Sequence, residues 1–322
     1  MRAIDLFAGC GGLSKGLENS GFKVVAAYEN WEAAVKVYKD NFTHPIHNLD
    51  LSGEIDTKEF SKHRPQLIAG GPPCQDFSSA GARNEDGGRA DLTIAFAQIV
   101  TEVKPEWFVM ENVARILKSK RVLSQVLAMY KAAGYGLTAT VLDASLCGVP
   151  QSRKRYFLIG KLGEQDDFLK DILEEKLATK PLTVRQYFTN ANLPLPSGHY
   201  YRHPRSYARR AIFSIDEPSP TIRGVNRPVP PNYQPHAGDL VQNLAGIRPL
   251  TTEERAVIQT FPTDFVFKAT KGAIEQMLGN AVPVKLGQYV GTCIKTYVQR
   301  KAKEVKAQEK ANQTAFSFES AE

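Results

Sequence analysis

The first 160 residues alternate between short apolar segments and amphipathic segments, and this alternation restricts the chain to few folds. Apolar runs such as Ala3–Phe7 and Lys23–Tyr28 predict buried strands, and apolar residues at helical spacing predict helices. Strands that alternate with helices are typical of βαβ units, so we predict an α/β fold with a doubly wound, mostly parallel sheet. Further strands are predicted at 66–70, 107–110, 136–142 and 155–159, and helices at 13–20, 31–41, 92–103 and 122–133.

The second half of the chain differs in character. Residues 190–235 are rich in Pro, Tyr, Arg and Asn and have weak periodicity, which indicates a second, smaller and loop-rich domain. Helical spacing returns at 252–259 and from 284 to about 309. We predict one domain from residues 1–160 and 275–310, a small domain at 161–274, and a disordered tail at 311–322.

Composition excludes several classes of protein. With 42% hydrophobic and 23% charged residues among 322, the chain is neither disordered nor of low complexity. No apolar run approaches the ~20 residues of a membrane span, and the first residues run directly into a predicted strand, so we expect neither a membrane contact nor a signal peptide. The four cysteines, at 10, 74, 147 and 293, form no CxxC pair, so we expect a reducing cytoplasm, no disulfide and no metal.

A glycine-rich turn follows the first predicted strand. Gly9, Gly11 and Gly12 let the backbone approach a ligand closely, and Glu29 ends the second strand, where an acid can bind both hydroxyls of a ribose. The dinucleotide pattern GxGxxG is not met, because Ser14 stands at the third glycine position. A ligand with an adenosine ribose but no pyrophosphate, such as S-adenosylmethionine, fits better; the alternative is a tight turn without a ligand.

Reactive side chains follow three other strands. Cys74 comes after the rigid pair Pro72-Pro73, Glu111 lies at the end of the strand that begins at Trp107, and Arg153 and Arg155 enter a strand with period-two spacing. Alone, the cysteine could be a small buried hydrophobe and the charged residues a surface ion pair. Together they predict one pocket at the carboxyl edge of the sheet, with a nucleophile, an acid and two arginines on one face.

The ordered motifs of the chain resemble those of the cytosine carbon-5 DNA methyltransferase family of prokaryotic restriction-modification systems. The resemblance covers about residues 2–295 and rests on Phe7-Ala8-Gly9-Cys10-Gly11-Gly12, Pro73-Cys74-Gln75, Glu111-Asn112-Val113, Gln151-x-Arg153-x-Arg155 and Gly279-Asn280-Ala281-Val282-Pro283. It implies an S-adenosylmethionine-dependent, Rossmann-like fold with a small DNA-recognition domain, and methyl transfer to carbon 5 of a cytosine within a specific duplex sequence.

The resemblance also implies roles for individual residues. Cys74 would attack carbon 6 of a flipped-out base, Glu111 would hold ring nitrogen 3, Arg155 would bind the base carbonyl and Arg153 would support the site. Residues 76–91 match a loop that closes over the base. Residues implied to bind the cofactor are Phe7, Gly9, Gly11, Gly12, Glu29 (ribose), Asp50 (adenine amine), Pro73, Leu92 and Asn280, with either Asn30 or Trp31 packed on the adenine.

The predicted DNA-binding surface is basic and aromatic. Residues 199–227 carry six arginines against two acidic residues, with tyrosines and histidines between them, and arginine is the residue that most often reads guanine edges and phosphates. A solvated basic loop is the alternative. The DNA-binding candidates are Gln75, Ser78, Arg83 and Arg89 near the nucleophile, and Arg205, Arg209, Arg210, Arg223 and Arg227 in this segment.

Two other functions remain open at this point. A tRNA-methylating branch of the family shares the Pro-Cys-Gln chemistry, but the Cys-Phe-Thr signature of that branch is absent from this sequence. A catalytically silent DNA-binding regulator would not need the complete set of Cys74, Glu111, Arg153 and Arg155. The expected partners are double-stranded DNA and, functionally, a cognate restriction endonuclease, and the chain is expected to be a monomer.

Overall fold

The computed structural model describes residues 1–53, 55–73, 92–204, 206 and 208–319. The helices are α1 (Gly12–Asn19), α2 (Glu32–Asn41), α3 (Lys58–Ser61), α4 (Leu92–Val103), α5 (Lys120–Ala132), α6 (Lys170–Glu175), α7 (Val184–Asn190), α8 (Thr252–Ile258), α9 (Lys271–Asn280) and α10 (Val284–Glu319). The strands are β1 (Arg2–Leu6), β2 (Lys23–Glu29), β3 (Ile46–Asn48), β4 (Leu67–Gly70), β5 (Trp107–Val113), β6 (Tyr135–Asp143), β7 (Gln151–Ser152), β8 (Lys154–Leu162), β9 (His199–Tyr201), β10 (Ile212–Ser214) and β11 (Ser219–Pro220).

The main sheet has seven strands in the order β3-β2-β1-β4-β5-β8-β6. The first five run parallel to one another, and β8 is antiparallel to both of its neighbours, β5 and β6. The prediction of a doubly wound, mostly parallel α/β sheet is therefore confirmed. Because β1, β2, β4 and β5 are parallel, their carboxyl ends lie along one edge of the sheet.

Alternate residues of the strands feed two hydrophobic cores, one on each face of the sheet. In β5, Trp107 and Val109 join a core with Leu13, Leu286 and Ile294, which packs α1 and α10 against one face. Phe108 and Met110 join the other core, which α3, α4 and α5 cover. These cores fix the strand ends, and with them the residues that follow.

The second half of the chain packs closely onto the first. A third cluster joins Cys10 and Val37 to Phe188 and Tyr200. A small cluster around Ile212 and Tyr233 lies entirely within residues 161–270, which we call the later segment. The predicted domain boundary at 160 and 161 falls inside β8, and α6 packs in the first core through its residues 172 and 173.

The final helix is longer than the sequence pattern predicts. α10 continues to Glu319, through most of the segment for which a disordered tail is predicted. Residues 300–309 are fully exposed, so apolar spacing gives no signal there, but Lys, Ala, Glu and Gln are strong helix formers. No helix in the described ranges is long and apolar enough to cross a bilayer.

Candidate active site

The parallel register places three strand ends side by side. Leu6 pairs with Gly70 and Gly70 pairs with Met110, so the next residues, Phe7, Gly71 and Glu111, are neighbours at the carboxyl edge. Gly71 lies so close to Glu111 that a Cβ built on the glycine would stand 3.0 Å from Oε2 of the carboxylate. The predicted meeting of these strand ends is therefore observed for all but the cysteine.

Asn112 holds the segment that leads to the cysteine. Its side-chain Nδ2 donates a buried hydrogen bond of 3.1 Å to the carbonyl of Pro72, and its Oδ1 accepts from the backbone N–H of Val113. Pro72 is therefore fixed against the end of β5. Cys74 itself lies outside the described residues, as do Gln75, Ser78, Arg83 and Arg89. Sequence reasoning assigned no role to Asn112, although it is part of the Glu111-Asn112-Val113 motif.

Glu111 and Arg155 form a buried ion pair at this edge. Nε of Arg155 lies 2.9 Å from Oε1 of Glu111, across the antiparallel pair β5 and β8. Burial raises the pKa of Glu111, although the charges of Arg155 and Arg153 act in the opposite direction. A raised pKa favours the protonated carboxyl, which is the form that can donate to a ring nitrogen.

Arg153 is placed differently from Arg155. It lies in the break between β7 and β8, and it is fully buried. Its guanidinium donates to the carbonyls of Ile222, Gly279 and Ala281 at 3.0–3.1 Å. Arg155 therefore pairs directly with Glu111, whereas Arg153 joins three backbone segments and acts on Glu111 and Arg155 through its charge.

Two glutamines extend the contacts of Arg153. Gln151 accepts from the backbone N–H of Ile222 and donates to Oε1 of Gln259 at 2.7 Å. Gln259 in turn donates to the carbonyls of Leu278 and Ala281. We call Gln151, Arg153 and Gln259 the buried polar hub. Sequence reasoning did not identify Gln259, since nothing local marks a glutamine whose partners are distant backbone carbonyls.

The carboxylate of Glu29 fits the predicted ribose site. Oε1 accepts from the backbone N–H groups of Asn30 and Trp31, and Oε2 accepts from Gly9 at 2.8 Å. These bonds fix the carboxylate at the end of β2 and leave a lone pair on Oε2 for a hydroxyl group. Because Glu29 is half-buried and faces the glycine turn, this turn can hold S-adenosylmethionine through its ribose.

The three glycines of the turn have different roles. A Cβ on Gly9 would meet nothing within 4 Å, so the space above Gly9 is open to a ligand. A Cβ on Gly11 would overlap the ring of Phe42, and one on Gly12 would overlap the carbonyl oxygen of Val282. Gly11 and Gly12 were predicted as cofactor-binding residues, but their lack of a side chain serves packing.

Phe7 has a backbone conformation that is unusual for a bulky residue. Its φ is 58°, in the left-handed region, where such a side chain costs about 1–3 kcal/mol. The residue stands between β1 and the glycine turn, partly exposed and packed against the second core. Strain of this kind persists where the surroundings fix it and is common at ligand sites.

The remaining cofactor candidates surround the same edge with different exposure. Asn30, Asp50, Pro73 and Asn280 are exposed, Leu92 is buried at the start of α4, and Trp31 is half-buried. The Trp31 ring packs against the third cluster. Asp50 accepts from the backbone N–H of Ser52, and Asn280 accepts from Gln276. Contact of either Asn30 or Trp31 with the adenine stays a prediction.

The predicted DNA-binding arginines fall into two groups. Arg210 pairs with Glu217 through two hydrogen bonds and stacks on Phe213 at 4.3 Å, and Arg223 donates to the carbonyl of His203. In contrast, Arg209 and Arg227 are exposed, and their side chains contact no described residue through an ion pair or a hydrogen bond. Arg205 lies outside the described residues.

The model of the C-5 cytosine-specific DNA methylase family matches residues 1–296. The chain is 56% identical over 296 residues to a protein of Haemophilus influenzae named Type II methyltransferase M.HindV, covering 91% of this chain and 96% of the relative. It is 53% identical over 302 residues to the Type II methyltransferase M.HgiDI of Herpetosiphon aurantiacus, covering 93% and 96%.

Solved structures agree on the fold. A putative DNA modification methyltransferase encoded within a prophage of E. coli aligns with a TM-score of 0.69 at 21% identity, covering 93% of this chain and 99% of that one. The Dnmt2 methyltransferase of S. pombe aligns with a TM-score of 0.66 at 17% identity, covering 93% and 98%. With the family match, these findings confirm the predicted family, fold and cofactor: the chain belongs to the C-5 cytosine-specific DNA methylases, enzymes that transfer a methyl group from S-adenosylmethionine to carbon 5 of cytosine in DNA.

Proposed function

We propose that Cys74, Glu111 and Arg155 carry out this reaction on a cytosine flipped out of duplex DNA. The observation that carries the proposal is the buried Glu111–Arg155 pair beside Gly71, with Pro72 held by Asn112 two residues before Cys74 in the sequence. The base must leave the stack because none of these groups can reach carbon 6 or ring nitrogen 3 inside a duplex.

The chemistry follows from what each side chain can do. The thiolate of Cys74 adds to carbon 6, which breaks the aromaticity of the ring and makes carbon 5 nucleophilic. The protonated carboxyl of Glu111 donates to ring nitrogen 3 and limits the negative charge that this addition creates. The guanidinium of Arg155 both pairs with Glu111 and has N–H groups left to bind the base carbonyl. S-adenosylmethionine, when bound, supplies the electrophilic methyl group.

The last stage restores the base. A solvent water takes the proton from carbon 5 of the methylated ring, and the electron pair of that bond re-forms the double bond between carbons 5 and 6. The bond between carbon 6 and the sulfur of Cys74 breaks at the same time, so that the thiolate is regenerated and the proton on ring nitrogen 3 returns to Glu111. Arg153 has a positioning role in this proposal. Its bonds to the carbonyls at 222, 279 and 281 hold the start of β8, the strand from which Arg155 projects.

Trapping of the covalent adduct tests this function. A duplex that carries 5-fluorocytosine at the target should form a stable adduct with Cys74 when S-adenosylmethionine is present, because fluorine replaces the proton that must leave. Mass spectrometry should find the adduct on Cys74, and the Cys74→Ser chain should form none while still binding duplex DNA. An adduct on Cys10, Cys147 or Cys293 would reassign the nucleophile.

The two free arginines support sequence-specific recognition of duplex DNA. Arg209 and Arg227 belong to residues 199–227. This stretch is joined to the active site, because its strand β11 pairs with β7, which ends immediately before Arg153. Arg227 also acts on His203, whose pKa is lowered by burial and by the nearby Arg227 and Arg223 charges. Such exposed arginines can reach base edges and phosphates without first breaking internal bonds.

The names of the relatives support a role in restriction-modification. We further propose a cognate endonuclease as a functional partner and a chain that acts as a monomer. Plasmid DNA methylated by this chain should resist an endonuclease that cleaves the same sequence, and bisulfite sequencing of that plasmid gives the sequence. Light scattering of the complex between the chain and duplex DNA should give the mass of one protein copy plus the duplex. Plasmid DNA that resists cleavage although bisulfite sequencing finds no methylated sequence would contradict this role.

A further inference from the structure

Three side chains that can ligate a metal ion meet at the β3 edge of the sheet, four strands away from Glu111. His47 lies in β3, the edge strand four positions from β5, while Glu59 lies in α3 and His63 just after it. One ligand atom of each residue lies within 4.8 Å of those of the other two. The three residues form the group that we call the edge cluster.

Two nitrogens of the edge cluster lack partners. Nε2 of His47 and Nε2 of His63 are both buried, and neither has a hydrogen-bond partner among the described residues. An unpartnered buried polar atom destabilises a fold, and a pair of them in one place needs an explanation. None of the roles proposed above for methyl transfer involves these nitrogens.

Tyr28 contacts two members of the edge cluster, His47 and Glu59. It pairs with His47 in the β2–β3 ladder, and its ring stacks on the His47 ring with centroids 4.9 Å apart. Its hydroxyl donates to the backbone carbonyl and to Oε1 of Glu59 at 3.1 and 3.3 Å. Glu59 and His63, four residues apart, project from the same side of the α3 turn. The cluster is therefore held in place by a buried side chain.

We propose that His47, Glu59 and His63 bind a zinc ion, with water as the fourth ligand. Two imidazoles and a carboxylate suit zinc, which takes four ligands at about 2.0–2.2 Å, whereas Mg²⁺ prefers oxygen ligands. Ligand atoms around a tetrahedral zinc are roughly 3.4 Å apart, so the side chains need to close by roughly 1 Å. The ion joins the edge strand to α3. This site differs from the sequence-based expectation of no metal.

Lys62 gives the site a distinctive signature. Its Nζ lies 2.6 Å from Oε2 of Glu59, and the side chain is 50% exposed, so the ammonium can move aside when a cation binds the carboxylate. Until it moves, Lys62 competes with zinc for Glu59. A second positive group, Arg2, donates to the backbone carbonyl of His63 and stays in place. Removal of the Lys62 charge should therefore tighten zinc binding, which a purely structural cluster would not do.

Calorimetric titration of the metal-free full chain with Zn²⁺ tests the proposal, and we expect one equivalent to bind and the melting temperature to rise. The same titration with Mg²⁺ should give no binding. Loss of an outer-shell partner typically costs 10–100-fold in metal affinity, so His47→Gln and His63→Gln should each weaken zinc binding by at least about tenfold. Lys62→Gln should strengthen it several-fold.

Matched variants exclude other zinc sites. His236→Gln removes an imidazole from a turn of the later segment, and Cys74→Ser removes the reactive thiol; both should keep the wild-type zinc affinity. Unchanged affinity in His63→Gln, or loss of binding in either control, would overturn the proposal. If the histidine variants do not fold, Lys62→Gln decides, because an affinity equal to that of the parent chain contradicts a site at Glu59.

Discussion

A single carboxyl illustrates how position alone sets chemistry at the residue scale. Glu111 stands at the end of a buried strand, where burial raises its pKa while Arg155 at 2.9 Å keeps it hydrogen-bonded. Replacement by Gln keeps the shape and one donor but removes the proton that Glu111 can give to a ring nitrogen. Methyl transfer by Glu111→Gln should fall by about 10²–10⁴-fold, the usual contribution of general acid catalysis.

The pH profile separates this role from simple packing. Because wild-type Glu111 must be protonated, its contribution to the rate decreases as the pH rises through its raised pKa, whereas Gln cannot titrate. Single-turnover rates of the two chains across pH 5–9 should therefore converge at high pH. A constant ratio of the two rates at every pH would show that Glu111 does not act as an acid.

Asp5 offers a second prediction at this scale, on stability. The residue is fully buried, its Oδ1 has no described partner, and its Oδ2 accepts from Ser14 at 2.6 Å. Burial raises its pKa from 3.8 to about 7. Between these two values the folded chain keeps a proton that the unfolded chain has lost, so this group makes the protein less stable as the pH rises.

Asp5→Asn removes that titration and keeps an acceptor for Ser14. The free energy of unfolding of the variant relative to the parent should therefore rise between pH 4 and pH 7, by up to about 4 kcal/mol, since one pKa unit is about 1.36 kcal/mol. Urea unfolding at several pH values measures this difference. A difference that does not change with pH would mean that Asp5 is ionised in the folded chain.

Residues at strand ends could be predicted from the sequence, and residues that bind distant backbone could not. Glu111 lies near the end of β5 and Arg155 near the start of the antiparallel β8, so the two side chains meet at the same edge of the sheet. The contacts of Arg153 depend instead on carbonyls at 222, 279 and 281, which lie 69 to 128 residues away. No local pattern encodes such a meeting, so the backbone partners of this arginine were not predicted.

At the scale of elements, the glycines of the first turn determine how α1 packs. Gly12 lies against the carbonyl oxygen of Val282, in the segment that precedes α10, and a Cβ there would overlap backbone that cannot move easily. Gly12→Ala should destabilise the fold by about 2 kcal/mol or more, because overpacking a rigid contact typically costs 1–3 kcal/mol. Thermal unfolding measures the loss.

A second glycine gives the matched control. Gly272 lies in the first turn of α9, and a Cβ there would meet nothing within 4 Å. Gly272→Ala should therefore stabilise the fold by up to about 1 kcal/mol through helix propensity. The same substitution thus has opposite signs at two sites. Equal effects at both would mean that the contact between α1 and the 282 carbonyl does not limit packing.

Long periodic elements were predictable and short ones were not. The longer strands and helices of residues 1–160 extend over enough residues for their periodicity to be recognised, and α4 has the predicted bounds. The elements of the later segment span two to seven residues, too few for a period. A local signal did exist for α7, because Thr183 and Gln186 form a capping box, as Thr251 and Glu254 do for α8.

At the scale of the whole molecule, the buried polar hub connects recognition to catalysis. Gln151, Arg153 and Gln259 bind backbone of the later segment, of the end of α9 and of the approach to α10. β11 adds a parallel pairing with β7. The later segment is therefore anchored at residues next to Arg155, so we expect a DNA sequence bound by that segment to present its target cytosine to the carboxyl edge of the sheet.

This arrangement predicts which arginines determine the DNA sequence that is methylated. Arg209→Ala or Arg227→Ala should relax the preference at one base pair, at a cost of about 1–3 kcal/mol, if the arginine pairs with guanine. If it binds phosphate, all sequences should weaken alike and the salt dependence should decrease by about one unit of slope. Methylation of a randomised duplex library at two salt concentrations distinguishes the two cases.

Arg210 is the matched control for these two arginines. Its guanidinium is already bound to Glu217 by two hydrogen bonds and stacked on Phe213, so Arg210→Ala should lower the melting temperature while the sequence preference stays that of the parent. Cofactor affinity should not change in any of the three variants, because the described contacts of these arginines include neither Glu29 nor the glycine turn. Parental preference and salt slope in both Arg209→Ala and Arg227→Ala would place recognition elsewhere, in 161–198 or 228–247.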